Sequence, residues 1–207
     1  MPEKKGDISE KLRYEREYLG RGMKYIVGVD EVGRGPLAGP VVTCAVCLPL
    51  SEEWLVAGVD DSKRLSPKKR EALAAILRER AYGYSIVRIE ADEIDRINIL
   101  NATKKGMKLA VESLPFVPDV VLTDGNMTLD IAMEQKSIVR GDALSYSIGA
   151  ASILAKVYRD GLMKEYEKEF PFYGFGRNMG YGTREHIEGI KEHGLCAIHR
   201  KTFTKKF

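Results

Sequence analysis

The sequence predicts an α/β fold with one mixed β-sheet. Apolar runs of strand length alternate with segments of helical pattern, in the order β-β-α-β-α-α-β-β-α. Acidic residues followed by a turn stand at the ends of two of the apolar runs. The chain has 207 residues, of which 44% are hydrophobic and 30% charged, so it can bury one large core in the manner of an ordinary globular domain.

The first elements are a charged helix and two strands. Residues 8–20 predict a short helix that we expect to be an outlying arm. Residues 24–31 and 40–48 predict two strands, and the Gly- and Pro-rich segment between them suits a hairpin connection. Ser66 and Pro67 supply an N-cap and a first helical residue, so they begin a helix that runs to about Arg80.

The later elements complete the α/β pattern. We expect strands at 84–89, 119–123 and about 136–140, helical segments at 91–97 and 99–113, and a long helix at 143–169 that stops before Pro171. The Gly-rich end of the chain predicts a small helical appendage. The expected organisation is a charged helical arm (1–22), a main domain (23–170) and a basic helical segment of the same compact unit (171–207).

Charge and composition narrow the function classes. The net charge is +3, and residues 177–207 alone hold seven Lys or Arg against three Glu. Such a basic end indicates contact with a polyanion, although a solvated charged face is a commoner cause. Residues 1–17 show no apolar secretory segment, the longest apolar stretch (36–50) is too short and interrupted to span a bilayer, and the three cysteines are odd in number. These features predict a reducing, cytoplasmic location.

Cys44 and Cys47 have the spacing of a metal or redox pair. They lie within an apolar strand, VVTCAVCL, with no turn between the thiols and no second Cys pair or His cluster beside them. We therefore predict that both are small buried hydrophobic residues and not a zinc or thioredoxin-type site.

Asp30 and Glu31 directly follow the apolar run of the first strand. Burying an unpaired charge is costly, so two acids at this place indicate a compensating cation. The next residues, Gly33-Arg34-Gly35, combine exposed backbone with a fixed positive charge and suit a phosphate. A solvated turn is the alternative. Because successive strand side chains alternate in direction, both acids serve one site only if the strand ends or bulges there, or if Glu31 uses its carbonyl group.

Two further acids stand at element ends. Asp124 ends the strand VVLT before a glycine, where ligands bind in α/β sheets, and Asp142 follows the strand SIVRG. An N-cap is the alternative role for Asp142. Asp160 would face the same side of an unbroken helix, but it lies roughly 27 Å along it. Since paired metal ions are about 3.5–4 Å apart, one pair cannot use both residues. We choose Asp142 and predict a structural role for Asp160.

The four acids come without Cys or His partners. Such a set favours a hard, oxygen-preferring cation, Mg²⁺ or Mn²⁺. Two such ions can activate a water molecule and stabilise the leaving oxygen of a phosphodiester. The residues therefore point to phosphodiester chemistry.

Seven motifs in one order resemble those of the bacterial ribonuclease HII family. They span Tyr25 to Phe203 and are GVDEVGRGPLAGPVV, DSKRLSPKKRE, EIDRINILNAT, DGN, RGDALSYSIGAASILAKVYRD, GYGT and HRKTF. The resemblance implies a ribonuclease H-like mixed sheet flanked by helices, with a small C-terminal helical segment. It implies hydrolysis of RNA in RNA–DNA hybrids and cutting 5′ of single ribonucleotides in duplex DNA, with 3′-hydroxyl and 5′-phosphate ends.

The resemblance also implies roles for particular residues. The catalytic and metal-binding acids would be Asp30, Glu31, Asp124 and Asp142, holding two Mg²⁺ or Mn²⁺ ions in the substrate complex. The loop Gly33-Arg34-Gly35 and Tyr181 would read the 2′-hydroxyl that distinguishes RNA from DNA. Lys63 and the basic end of the chain would hold phosphates without reading sequence. Asn98 and Ser147 are further candidates for substrate contacts. Met179 and Gly182 stand where the family usually has Lys and Pro. The expected partners are RNA–DNA hybrids and ribonucleotide-containing DNA, without a membrane or an obligate protein partner, and the chain is expected to be a monomer.

Two other classes of function are compatible with the fold. One is a nucleic-acid-binding module without chemistry, but acids gathered beside a polyanion would repel it. The other is a nuclease or integrase that acts on DNA alone, and the Gly33–Gly35 loop with Tyr181 argues against it.

Overall fold

A computed structural model describes residues 6–60 and 62–207. Residues 1–5 of the expected arm and Asp61 of the DSK motif lie outside the described residues. The strands are β1 (Ile26–Val32), β2 (Val41–Cys47), β3 (Gly83–Ile89), β4 (Val120–Asp124) and β5 (Glu134–Ile138). They form one mixed sheet in the order β3-β2-β1-β4-β5, which confirms the predicted α/β class.

The sheet combines an antiparallel half with a parallel half. β2 pairs antiparallel with both β1 and β3, whereas β4 pairs parallel with both β1 and β5. β1 is therefore central, and its first five residues are buried on both faces. Because β1 and β4 run in the same direction, their carboxyl ends meet at one edge of the sheet.

Eight α-helices surround the sheet in the described ranges. They are α1 (Gly6–Lys11), α2 (Arg13–Leu19), α3 (Pro67–Arg80), α4 (Ala91–Glu112), α5 (Gly141–Leu144), α6 (Tyr146–Glu169), α7 (Phe175–Asn178) and α8 (Arg184–His193). Short 3₁₀ turns cover Glu52–Trp54 and Ser62–Arg64. None of these helices combines the length and the apolarity that crossing a bilayer requires.

The two faces of the sheet have different covers. In β2, Val42, Cys44 and Val46 point to a core shared with α3 and α6, while Ala45 and Cys47 point to a core shared with α4. This alternation is that expected for a strand buried on both faces. It also confirms that Cys44 and Cys47 are packing residues, since both are free, fully buried thiols on opposite faces.

The N-terminal helices differ from the expected outlying arm. The helical segment is interrupted at Leu12, and Leu12 and Tyr18 are buried in the cores of the main body. Glu15 is also fully buried. The arm therefore packs against the sheet and its helices, with both apolar and charged side chains buried in the contact. The division of the chain into three parts stays a prediction.

Two helix predictions have different outcomes. The expected break between 91–97 and 99–113 is confirmed, because Asn98 has φ 67° and ψ 164° inside α4. The expected continuous helix at 143–169 is wrong in its first turn. Ser145 is extended, with φ −120° and ψ 131°, and it separates α5 from α6. Its hydroxyl accepts from Ile148 N and caps α6.

Candidate active site

The register of the sheet places Asp30 beside Asp124. Val29 of β1 is paired with Thr123 of β4, and each acid is the next residue of its strand. Both strands contribute the acid at the edge where ligands bind in α/β sheets. The sequence expectation for these two residues is thus matched by their positions.

Asp30 lies in a buried and negatively charged environment. Its side chain faces α6, where it hydrogen-bonds to Ser152, whose Oγ lies 2.9 Å from Ser62 Oγ. Asp30 is 4% exposed. Burial, followed by the charges of Glu31 and Asp124, raises the pKa of Asp30 well above its usual value. A cation would relieve this repulsion.

Glu31 lies within β1, which continues through Val32 and does not end at the acids as expected. Its side chain is 12% exposed and its Oε1 is 3.5 Å from Arg34 Nη1. Burial raises the pKa of Glu31, Arg34 opposes this, and Asp124 raises it further. Oε2 is buried and lacks a hydrogen-bond donor among the described residues. The charge of Glu31 therefore interacts with the charges of Asp30 and Asp124, although Glu31 is the next residue after Asp30 on a strand that continues to Val32.

Asp142 joins this group through the main chain. Asp124 Oδ1 accepts from Gly141 N at 2.6 Å and from Asp142 N at 3.4 Å. The carboxylate of Asp142 accepts from Ala143 N at 2.9 Å. Arg140, with φ 61°, is the N-cap residue of α5, so Asp142 lies inside the helix and is not its N-cap. The two contacts with Asp124 hold the backbone of Asp142 beside the end of β4.

The Gly33–Gly35 loop and Tyr181 lie side by side. A Cβ atom at Gly35 would be 3.6 Å from Tyr181 Cε1, and Leu37 N donates to Gly180 O at 2.8 Å. The Tyr181 side chain is 47% exposed, and Arg34 and Gly35 are exposed next to it. Lys63 stands on an exposed 3₁₀ turn and its charge lowers the pKa of Glu31. Arg34 of the loop and Lys63 therefore lie near Glu31, and Tyr181 lies beside the same loop.

Two of the expected substrate contacts have local structural explanations. Ser147 is fully buried, its N–H donates to Glu15 Oε1, and a Cβ at Gly28 would lie 2.1 Å from its carbonyl carbon. No surface of Ser147 reaches solvent in this structure, and its contact with substrate stays a prediction. Asn98 is exposed, and its Oδ1 accepts from Asn101 N, so it caps the second part of α4.

Asp160 has the structural role that was predicted. It pairs with Lys156 at 2.7 Å and with Arg70 at 3.4 Å. Arg159, the neighbour of Asp160 on α6, is fully buried, as is Arg200 of the basic end. Buried and exposed arginines look alike in a sequence, so no pattern would have separated these two from the rest.

The donor set suits a hard divalent cation. Asp30, Glu31 and Asp124 offer carboxylate oxygens that repel one another, and one oxygen of Glu31 has no donor. In residues 6–60 and 62–207, however, no three His, Cys, Asp or Glu side chains already form a group able to enclose an ion. The acids alone are thus an open set that further oxygen ligands would have to complete.

Comparison with known proteins defines the class of protein. The family model described as Ribonuclease HII matches residues 27–206. A relative named Ribonuclease HII from Acetivibrio thermocellus is 54% identical over 194 residues, which are 94% of this chain and 75% of that protein. Ribonuclease H2 from Pyrococcus horikoshii OT3 superposes with a TM-score of 0.72 at 27% identity, covering 86% of this chain and 93% of the other. Bst-RNase HIII in complex with Mn²⁺ shares the fold, with a TM-score of 0.66 at 18% identity, covering 87% and 67%.

The fold and these relatives are those of a metal-dependent ribonuclease with a ribonuclease H-like sheet. The chain belongs to the ribonuclease HII family, whose members cleave RNA in RNA–DNA hybrids.

Proposed function

We propose that this protein cuts duplex DNA on the 5′ side of a single embedded ribonucleotide, as well as RNA in RNA–DNA hybrids. The products are a 3′-hydroxyl and a 5′-phosphate. The observation that carries the proposal is the position of Asp30 beside Asp124 at the carboxyl ends of β1 and β4, with the Gly33–Gly35 loop following Glu31 and Tyr181 lying beside Gly35. The acids suit metal-assisted hydrolysis, and the loop with Tyr181 suits a 2′-hydroxyl.

The acids would hold two Mg²⁺ or Mn²⁺ ions when substrate is bound. Asp30, Glu31, Asp124 and Asp142 are the proposed ligands, and bound divalent ions supply an activated water and stabilise the leaving oxygen. The open arrangement of the acids agrees with a site that oxygens of the scissile phosphate complete. Since the Mn²⁺ complex of Bst-RNase HIII shares the fold, it adds support for a divalent cation.

The neighbouring cation and loop would position the strand. Arg34 is exposed and only 3.5 Å from Glu31, so it can move to a phosphate once an ion neutralises that carboxylate. Lys63 adds a second phosphate contact without reading sequence. The exposed ring of Tyr181 would pack on the sugar beside Gly35, where the lack of a side chain allows close approach.

The test is a cleavage assay on an end-labelled DNA duplex that contains one ribonucleotide. With Mg²⁺ or Mn²⁺, we expect one cut 5′ of the ribonucleotide, and no cut in an all-DNA duplex or in the presence of EDTA. Degradation of a uniform RNA–DNA hybrid without the single cut would reject junction recognition and keep the ribonuclease. Binding without cleavage of either substrate would reject the enzymatic role of the acids.

A further inference from the structure

Two fully buried arginines lie beneath the Gly33–Gly35 loop and the loop of residues 178–183, which contains Tyr181 and is called the Tyr181 loop below. Arg159 comes from α6 and Arg200 from the C-terminal segment, and the side chains of both have no exposed surface. Burial lowers the pKa of Arg159 to about 10 and, with the adjacent charge of Arg159, that of Arg200 to about 9. Burying two like charges together is costly, and apolar side chains of similar size often serve packing better. The guanidinium groups must therefore do something that hydrocarbon cannot.

What the guanidinium groups do is bind main-chain carbonyls. Every hydrogen bond that the described structure gives them ends on a carbonyl oxygen. Arg159 donates to Pro40 O, Ala38 O and Met179 O at 2.9–3.2 Å, and Arg200 donates to Gly33 O, Arg34 O and Gly39 O at 2.6–2.9 Å. Segment 33–40 lies between β1 and β2 outside regular strand pairing, so its carbonyls need such external donors. The rigid five-donor fork of arginine suits this task, and a lysine ammonium does not.

The loops close tightly on these side chains. Gly33 has φ 88°, and a Cβ atom there would lie 2.1 Å from Arg159 Nε. Gly180 has φ 82°, and a Cβ atom there would lie 2.4 Å from Ala38 O. The two loops and the guanidinium of Arg159 are therefore fitted to one another without spare volume, and the position of one loop constrains the other.

The direction of the carbonyls determines what faces the substrate side. Arg200 draws the carbonyls of Gly33 and Arg34 inward. In a trans peptide the N–H points away from the C=O of the same unit. The N–H groups of Arg34 and Gly35 consequently point outward. These two residues are the exposed part of the loop, and Gly35 lies beside Tyr181.

We propose that Arg159 and Arg200 are positioning residues for recognition of the 2′-hydroxyl at an RNA–DNA junction. Arg200 aims the N–H groups of Arg34 and Gly35 at the nucleic acid, and Arg159 holds that loop and the Tyr181 loop at a fixed separation through Ala38, Pro40 and Met179. Neither arginine touches the substrate. This inference rests on the proposed function and adds the residues that give it specificity.

The test uses Arg200→Lys and Arg159→Lys, which keep the charge and remove the fork. For each variant we would measure kcat/KM on a duplex with one ribonucleotide and on a uniform RNA–DNA hybrid. The uniform hybrid offers a 2′-hydroxyl at every position, so its cleavage should depend less on the loop than cleavage at a single ribonucleotide does. The kcat/KM for the single ribonucleotide divided by that for the hybrid should therefore fall about tenfold or more, the equivalent of about one lost hydrogen bond. Hydrogen exchange of segments 33–40 and 178–183 should become faster relative to exchange in the sheet.

Leu114→Ala is the matched control for general destabilisation. Leu114 is buried in the α4 core. Its loss should lower activity on both substrates equally and leave exchange in the two loops unchanged relative to the sheet. Variants of Arg159 and Arg200 that behave like this control would overturn the inference.

The activity of the unmodified protein distinguishes a failure of the proposed function from a failure of the positioning role. If it cuts the hybrid but not the single ribonucleotide, junction recognition in the proposed function is wrong. If it cuts both, and Arg200→Lys keeps the ratio and the loop protection of the unmodified protein, only the positioning role is wrong.

Discussion

The Nε2 atoms of His186 and His199 lie 3.0 Å apart in the buried interior of the C-terminal segment. The N–H of Cys196 donates to His199 Nδ1, so the proton of His199 is on Nε2. The carbonyl of Tyr181 can only accept, so the proton of His186 is on Nδ1. One arrangement satisfies all three contacts, with both rings neutral and His199 donating to His186. His199, near the end of the chain, is thereby linked through His186 to the backbone of Tyr181.

This pair predicts a loss of stability in mild acid. Burial lowers the pKa of both rings, and that of His199 falls to about 4, against about 6.5 in an unfolded chain. Between these values the unfolded chain binds more protons, so the stabilisation is complete above about pH 6.5 and is lost as the pH falls towards 4. Each titrating ring contributes about 1.4 kcal/mol per pH unit. His199→Gln should reduce this slope in urea unfolding at pH 7.5, 6 and 5.

Burial also raises the pKa of Asp30 and Glu31, so the comparison needs a control. His193→Gln removes an exposed ring of α8, the helix that contains His186. His193 lies outside the His186–His199 contact. The His186–His199 pair stays intact in this variant, so the part of the slope that the pair causes should remain. An equal slope for His199→Gln and the unmodified protein would show that the pair does not titrate as described.

The acids at the strand ends were predictable because their signal is local. An apolar run followed by Asp30 or Asp124 and a glycine-containing turn is visible within ten residues of sequence. The parallel pairing that places the two ends together is not local, because β4 is separated from β1 by two strands and two helices of chain. The α/β pattern predicted that strands would share an edge, but not that these two would be neighbours.

The buried charges could not be predicted for the same reason. Glu15 stands in a highly charged helix and Arg200 in a basic end, where solvent exposure is the ordinary expectation. The partners that allow their burial are distant in sequence: Ser145 for Glu15, and Gly33 and Gly39 for Arg200. The break at Ser145 escaped prediction because it depends on this distant carboxylate and the small residues around it suit a helix.

Glu15 should be essential for stability although it precedes the region that the family model matches. Its Oε1 accepts from Ser145 Oγ at 2.6 Å and from Ser147 N at 2.9 Å, where α6 begins. Glu15→Ala leaves both donors buried without an acceptor, so it should lower the free energy of unfolding by about 1–3 kcal/mol or more. Glu15→Gln keeps an acceptor and should lose less. Urea unfolding at pH 7.5 measures both.

Glu17→Ala is the matched control on the same helix. Glu17 forms an exposed pair with Lys136 at 2.8 Å, and such pairs contribute about 1 kcal/mol or less. A loss in Glu15→Ala no larger than that in Glu17→Ala would contradict the capping role.

Asp124→Asn should separate catalysis from stability. The amide oxygen can still accept from Gly141 N, and removal of the charge relieves the repulsion that raises the pKa of Asp30 and Glu31. Unfolding stability should therefore be unchanged or higher. Cleavage should fall about 100-fold or more, while affinity for an RNA–DNA hybrid, measured by fluorescence anisotropy, is retained.

Asp160→Asn should behave in the opposite way. Asp160 pairs with Lys156 and Arg70 on α6 and α3. Its neutralisation should lower unfolding stability by about 1–3 kcal/mol and leave most of the cleavage rate intact. Normal turnover in Asp124→Asn, or lost turnover in a folded Asp160→Asn, would reverse the assignment of the two acids.

Tyr181 should contribute through its ring and its hydroxyl separately. Its backbone is held by Asn178 O and His186, and its ring lies beside Gly35, so a change of side chain leaves the loop in place. Tyr181→Ala should reduce cleavage 5′ of a single ribonucleotide about tenfold or more, since aromatic stacking in nucleic-acid complexes contributes about 1–3 kcal/mol. Tyr181→Phe keeps the ring and removes only the hydroxyl, so any loss of cleavage in this variant reports a hydrogen bond of the hydroxyl. Binding to an all-DNA duplex should change little in either variant, because DNA lacks the 2′-hydroxyl. Equal losses in cleavage and in DNA binding would show that Tyr181 serves general affinity and does not read the junction.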